Sequence, residues 1–297
     1  MQIGMLADKI IENKGKKIVL VSLARAGIPI GILVKRYIKF KYGINVPHYS
    51  ISIIRGRGID DNAMKYLLEK YRPQQILFVD GWIGKGAILN ELKKDISAYE
   101  GVSADIAVVA DPANVTELCG THEDILIPSS CLNSTVSGLI SRTFLRDDII
   151  GRDDFHGAVY YGELTDSDLS YDFIETIEKE FNMENTPDLE KRVESQGIDE
   201  VINIGKNFGI DDINLIKPGI GETTRVLLRR IPWKVLIDER YKGNPQLEHI
   251  VETCRRETYT CRILSTYTLV NAVESLRSLR MREKGNTYSV IPKTSER

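Results

Sequence analysis

Gln74–Leu89 reads QQILFVDGWIGKGAIL, an apolar run that ends in an acid and breaks at once into a glycine-punctuated turn. Ile76, Leu77, Phe78 and Val79 form the short continuous run of a strand buried on both faces, and Ala87 to Lys94 then reads as a helix with Leu89 and Leu92 inward. A strand-turn-helix of this kind presents unpaired backbone N–H groups and the positive end of a helix, which suits an anion such as phosphate. Gly81, Gly84 and Gly86 permit close backbone approach, and Lys85 adds a full positive charge. The spacing is not that of a Walker A loop, because only Trp82 and Ile83 separate Gly81 from Gly84 and Gly86 follows Lys85. The same unit also occurs in α/β domains with nothing bound in the turn, so its neighbours must decide.

Working outward, residues 17–120 alternate strand-like and helix-like segments: KIVLVSL, a helix over Ile28–Lys41, HYSISII, a helix over Asn62–Tyr71, ILFVD, the helix just described, and DIAVVAD. Alternation on this scale predicts an α/β fold, a parallel sheet with helices on both faces. Ligands of such sheets gather at the carboxyl ends of the strands. Those ends are Ser22–Gly27, Arg55–Asp61, Asp80–Gly86 and Asp111–Pro112, each polar, charged or glycine-rich. Residues 125–162 are rich in small residues and follow no clear period, and Asp166–Met183 reads as a helix. A new helix-strand alternation starts near Leu189, which predicts one domain over 1–185, a second over 189–276 and a polar tail over 277–297. Residues 1–188 are net negative and 189–297 net positive, the asymmetry expected if only the second part meets nucleic acid.

With 297 residues and 42% apolar content the chain can bury two modest cores. It has no apolar run of about 18 residues, and its first residues pattern as an amphipathic helix, so no membrane partner and a cytoplasmic location are expected. Four scattered cysteines, Cys119, Cys131, Cys254 and Cys261, argue for reduced thiols.

Taken together, the strand-end loops resemble those of the type I phosphoribosyltransferases over about residues 17–112. That resemblance implies phosphoribosyl pyrophosphate or a nucleotide-like molecule as ligand. Asp80 would meet the ribose hydroxyls, while the N–H groups of Gly84 to Ala87 and the Lys85 ammonium would hold the 5-phosphate. Arg25, Ala26 and Gly27 fall where the family's pyrophosphate loop lies. Arg55 and Arg57 are candidates to stabilise diphosphate charge as it leaves, against the plain alternative of a solvated loop. Asp80, Arg55 and Arg57 are thus the candidate catalytic residues, with Mg²⁺ as the ion such a ligand would bring. The pattern departs from the family at Gly81, which stands for a second acid, and at Ile83 or Lys85, which stands for a hydroxyl residue. Losing one carboxylate weakens the ribose grip and Mg²⁺ coordination, so binding without turnover is one expected outcome. Trp82 suits a core plug or a base-stacking surface.

A closer resemblance, carried by VSLARAGIPIG, PHYSISIIRGRGID, FVDGWIGKGAI, IPSSCLNSTVSGLISRTF and DFHGA, is to the StiP family of bacterial stress and tellurite-resistance systems. It implies a phosphoribosyltransferase-like part followed by a smaller α-β-α domain of the L7Ae/PELOTA type that binds RNA. Against that family the chain begins inside the first domain. The family is also labelled cysteine protease, which makes Cys131 a candidate nucleophile with His156 as base and Asp154 as its orienting group. Cys119 and His122 are the next choice. Cys119, His122 and Cys131 would make three zinc ligands without a fourth, and no metal site is expected. In the second domain the PELOTA-type loop maps to Gly219, Gly221, Glu222 and Arg225. Gly221 stands for an Asn, which removes a base-edge contact, and Arg225 stands for a Lys. Arg225, Arg229 and Arg230 offer phosphate contacts at helical spacing, or else a solvated face. The acceptor, the RNA target and the oligomeric state are left unassigned.

Overall fold

The computed structural model describes residues 1–132, 134–184, 197–264 and 271–274. It divides into two compact units, Met1–Asp199 and Glu200–Arg297.

The first unit runs α1 (Gln2–Lys14), β1 (Val19–Ala24), α2 (Gly27–Tyr42), β2 (His48–Ile54), β3 (Gly58–Ile59), α3 (Asp61–Lys70), β4 (Ile76–Trp82), α4 (Ala87–Ile96), β5 (Ile106–Ala110), β6 (Cys119–Thr121), α5 (Pro128–Cys131) and α6 (Ser170–Glu178). Its six-stranded sheet has the order β3-β2-β1-β4-β5-β6, parallel throughout except for the β2–β3 hairpin at one edge. Alternation along each strand explains why the sheet is covered twice. Val19, Val21, Leu23 and Phe78 pack with Met64 and Leu67 of α3 and with Leu89, Leu92 and Ile96 of α4. Leu20, Leu77 and Val79 pack with Leu6 and Ile10 of α1 and with Ile30, Leu33 and Val34 of α2. Truncating a fully buried side chain such as Leu92 should cost about 2–5 kcal/mol.

Strand order reverses between β1 and β4, because the chain builds β2 on one side of β1 and then returns to build β4, β5 and β6 on the other. The crevice outside their carboxyl ends is where open α/β sheets receive ligands.

Two expectations change. The helix expected over Asp166–Met183 is a 3₁₀ segment, Gly162–Ser167, followed by the shorter α6. The Asp168 carboxylate accepts from Ser170 N and Ser170 Oγ at 3.0 and 2.6 Å, a local bond that interrupts one helix and starts the next. The unplaced stretch after Ile125 holds α5, a 3₁₀ turn at Ser134–Val136 and two antiparallel bridges, Ile140 with Tyr160 and Phe144 with Gly157.

The second unit contains α7 (Gly197–Phe208), β7 (Ile216–Pro218), α8 (Ile220–Arg229), β8 (Pro232–Asp238), α9 (Glu248–Arg256), β9 (Cys261–Leu264) and β10 (Asn271–Glu274), with sheet order β7-β10-β8-β9. Val201, Ile204, Ile216 and Leu236 form its buried cluster. The expected start of this domain at Leu189 and the polar tail over 277–297 lie outside the described residues. Among the described residues no helix is long and apolar enough to cross a membrane.

Candidate ligand site at the carboxyl ends of β1 and β4

The turn leaving β1 lies directly on β4. A Cβ added at Gly27 would stand 2.4 Å from the Val79 carbonyl oxygen and 3.0 Å from Asp80 Cα, so only glycine permits this approach. Half-buried Arg25 and Ala26 and buried Gly27 are thereby held beside Asp80, which joins two of the sequence-predicted loops in one place. One turn further along α2, Gly31 makes room for buried Ser22 and half-buried His48, whose Oγ and Nε2 lie 2.8 Å apart. Burial, with the Lys35 charge adding to it, lowers the His48 pKa to about 4, so its imidazole is neutral near pH 7.

Asp80 carries the most perturbed carboxyl of the crevice. Burial pushes its pKa up to about 7, against the opposing effect of the Gly81 N–H, which donates to Oδ1 at 2.7 Å. Some of its surface still meets solvent. Next to it, Gly81 packs against α5, where a Cβ would stand 2.0 Å from Ser130 Oγ. That contact explains why no second acid follows Asp80: a side chain at Gly81 has no room. Ile83 is not a loop residue either. It is buried in the sheet's core, donates its N–H to the Ala110 carbonyl and accepts from Ala113 N, which extends the β4–β5 contact. The turn proper is Gly84–Gly86, with the Trp82 ring folded over Gly84, 2.3 Å from where a Cβ would stand. Trp82 also packs on the main core cluster, so it acts as a plug. Gly86 takes the left-handed conformation at φ 74° and opens α4, whose first turn has neither a side-chain cap nor an acid. Lys85 beside it is half-buried.

Arg25 Nη1 donates to the Ile140 carbonyl at 2.9 Å. Arg55 and Arg57 are exposed in the tight β2–β3 hairpin, not in a loose cover. That hairpin is fastened to α4 by Gly56 N donating to Glu91 Oε2 at 3.1 Å and Ile59 N donating to Asp95 Oδ2 at 2.7 Å. No described contact brings either arginine to Asp80.

The serines of α5 and the following turn were missed by sequence reasoning. Ser129, Ser130 and Ser137 each bury a hydroxyl that has no hydrogen-bond partner among the described residues. Their only signal was the small-residue run from Ser129 to Gly138, and it becomes meaningful because α5 packs on β4 and α2. Unsatisfied buried hydroxyls are scarce in folded proteins, and that of Ser130 lies directly against Gly81.

Comparison with known proteins gives this architecture a family. Residues 1–178 match the family model described as tellurite-like stress resistance cysteine protease StiP, and residues 195–267 match the PELOTA RNA binding domain. The chain is 34% identical over 270 residues to the cysteine protease StiP of Acinetobacter baylyi (strain ATCC 33305 / BD413 / ADP1), covering 84% of this chain and 70% of that one. The chain belongs to the StiP family. Among solved structures, a hypoxanthine-guanine phosphoribosyltransferase of Bacillus anthracis is 18% identical with a TM-score of 0.31, over 42% of this chain and 78% of that one. A hypoxanthine-guanine-xanthine phosphoribosyltransferase is 15% identical with a TM-score of 0.26, over 42% and 75%. At those scores neither likeness bears on the chemistry of this chain.

The name of the StiP family directs attention to thiols. Cys131 is 1% exposed and its Sγ lies 3.6 Å from the Pro128 carbonyl. His156, its expected base, pairs Nδ1 with Ser52 Oγ at 2.8 Å and donates its backbone N–H to Asp60 Oδ2 at 2.7 Å. Asp154, the expected orienting group, accepts from Gly151 N at 2.9 Å. No described hydrogen bond joins Cys131, His156 and Asp154: Ser52 and Asp60 hold the His156 segment at the β2 end, and Asp154 closes its own turn with Gly151. Cys119 and His122 do meet, with Sγ 3.4 Å from Nε2, and the third member beside them is Asp111 rather than Cys131. Burial raises the Asp111 pKa to about 6. Cys119 itself belongs to β6 and is fully buried in the core cluster on one face of the sheet.

In the PELOTA-matched unit, Gly219 at φ 87° leads β7 into α8. Gly221 is buried, Glu222 lies in the first turn, and Arg225 Nη1 contacts Glu222 Oε1 at 3.3 Å. Arg229 is exposed one turn further on, and Arg230 closes the helix through its N–H to the Val226 carbonyl.

Proposed function

We propose that the crevice at β1 and β4 binds a phosphoribosyl diphosphate or nucleotide-like ligand, and that the second unit binds RNA, in a cytoplasmic stress-resistance role. The observation that carries the first half is the seating of Gly27 on Asp80 at the point where strand order reverses, beside an α4 N-terminus free of acids. Asp80 Oδ2 has no hydrogen-bond partner among the described residues and would accept a ribose hydroxyl proton. The N–H groups from Gly84 to Ala87 and the Lys85 charge would hold the 5-phosphate, and the Arg25 guanidinium would balance a diphosphate. If the site turns over, the anomeric C–O bond breaks, the diphosphate leaves with the electron pair, and a bond forms from that carbon to the acceptor. Arg55 and Arg57 could join only by a movement of the β2–β3 hairpin. A single carboxylate fits Mg²⁺ only as one ligand among diphosphate and water oxygens. Binding without turnover suits a site in which Gly81 has no space for a second acid.

Calorimetric titration with phosphoribosyl pyrophosphate tests the ligand reading. Saturable binding that Asp80→Ala abolishes supports it, and silence in the wild type or undiminished binding in the variant rejects it. For RNA, filter retention that falls when Arg225→Ala and Arg229→Ala are combined supports the second half, and unchanged retention rejects it.

A further inference from the structure

Asp111, Cys119 and His122 converge at the other end of the sheet from the β2–β3 hairpin. The parallel register of β5 and β6, Val108 with Cys119 and Ala110 with Thr121, brings Asp111, the residue after β5, level with His122, the residue after β6, while Cys119 opens β6. One ligand atom from each of the three lies within 4.8 Å of the others. Cys119 Sγ is 3.4 Å from His122 Nε2 and 3.7 Å from Nδ1, and Nδ1 is 3.8 Å from Asp111 Oδ2. Around tetrahedral zinc, with bonds of about 2.3 Å to sulfur and about 2.0 Å to nitrogen or oxygen, neighbouring donor atoms stand roughly 3.3–3.6 Å apart. Cys119 Sγ and His122 Nε2 already stand at that spacing, and the ligand atoms of the whole cluster lie within 4.8 Å of one another.

Two further observations point to a cation. His122 Nδ1 lies 3.1 Å from the Asp111 carbonyl oxygen, an acceptor that places the proton on Nδ1 and leaves Nε2 as the ligand nitrogen, which a turn of the ring brings into line with sulfur. Metal-binding histidines are oriented by such backbone bonds. Asp111 is fully buried; its Oδ2 accepts from Val115 N at 2.7 Å and Thr116 N at 2.8 Å, while Oδ1 is buried with no hydrogen-bond partner. An unsatisfied buried carboxylate oxygen is costly, and a bound cation removes that cost. The His122 side chain, 18% exposed, gives the trio a path to solvent.

We propose that Asp111, Cys119 and His122 bind one divalent transition-metal ion of the zinc class, leaving a fourth position for water. A mixed sulfur, nitrogen and oxygen donor set selects such an ion over Mg²⁺. On binding, the Cys119 thiol becomes a thiolate and its proton passes to solvent. The ion would tie β5 to β6 and the segment that follows, and the site is independent of any ligand in the β1/β4 crevice.

Cobalt(II), added to the chelator-stripped full chain, is the probe. The expected result is a thiolate-to-cobalt charge-transfer band with tetrahedral d–d bands, saturating at one equivalent and bleached by one equivalent of zinc. Cys119→Ser should remove the charge-transfer band, His122→Gln and Asp111→Asn should each weaken binding at least about tenfold, and Cys254→Ser should change nothing. Absence of the bands in the wild type, their survival in Cys119→Ser, or their loss in Cys254→Ser overturns the proposal. Should Cys119→Ser fail to fold by circular dichroism, the partly exposed His122 decides, since unchanged cobalt affinity in His122→Gln overturns it equally.

Discussion

The β4–Gly86–α4 and β7–Gly219–α8 junctions are the same local device with opposite electrostatics. Each runs from a strand through a positive-φ glycine, at 74° and 87°, into a helix of 10 residues with no side-chain cap. In the first, the opening turn of the helix carries no acid, and Lys85 stands beside it. In the second, Glu222 occupies the opening turn and draws Arg225 onto itself. A helix N-terminus attracts an anion only while its dipole is unanswered. The α4 end is thus suited to a phosphate, whereas at α8 any phosphate contact must come from the arginine-bearing side of the helix. A strand-glycine-helix motif does not name its guest; the charge of the first turn and the elements packed around it do.

The comparison breaks most severely at Gly27. Gly27→Ala forces the β1 turn away from Asp80, so urea denaturation should show a loss of about 1–3 kcal/mol, with phosphoribosyl pyrophosphate binding lost; retained stability and binding would show that the two loops need not touch. Next comes Asp80. Its folded pKa of about 7 lies above the ordinary 3.8, so between those values the folded state holds the extra proton and stability falls as pH rises, flattening above about 7. His48, lowered to about 4 from 6.5, works in the opposite sense, its contribution growing as pH rises from about 4 to 6.5. Asp80→Asn should remove a fall that approaches about 1.4 kcal/mol per pH unit at its steepest, measured by denaturation across pH 4 to 8. The ionised carboxylate is the form that accepts ribose hydroxyls, so wild-type affinity should drop below pH about 7.

Smaller changes sharpen the contrast. Ala87→Glu gives α4 the acid that α8 already has and should weaken phosphate-ligand binding by roughly 0.3–1 kcal/mol, or about two- to fivefold in a low-salt titration. Smallest is Glu222→Gln, which releases Arg225 from a half-exposed pair worth about 0.2–1 kcal/mol. RNA retention should tighten by no more than about fivefold, and weaker retention would mean that Glu222 itself contacts RNA.

The first unit's strands and helices were legible because nearly every strand residue faces a covered side, which writes an uninterrupted apolar run such as Leu20–Val21 or Leu77–Phe78 into the chain. The hairpin at Arg55–Arg57 was harder to read, since β3 is two residues long and its hold on α4 depends on Glu91 and Asp95, distant in sequence. Asp168 likewise split a helix that periodicity alone would have continued. At the candidate site, Asp80 and the glycines announced themselves, but Ser130 did not, because its importance lies in touching Gly81 across some fifty residues of chain.

By itself the sequence determined the α/β alternation, the glycine turns and the family to which the chain belongs, because periodicity, turn chemistry and motif spacing are local properties. Tertiary structure alone decided which of those local features share a site. Close packing of Gly27 on Asp80 and of Ser130 on Gly81 built the crevice, packing drew His156 to Ser52, and the β5–β6 register set Asp111 level with His122 and near Cys119. Each of these meetings joins elements that only the folded sheet brings into contact.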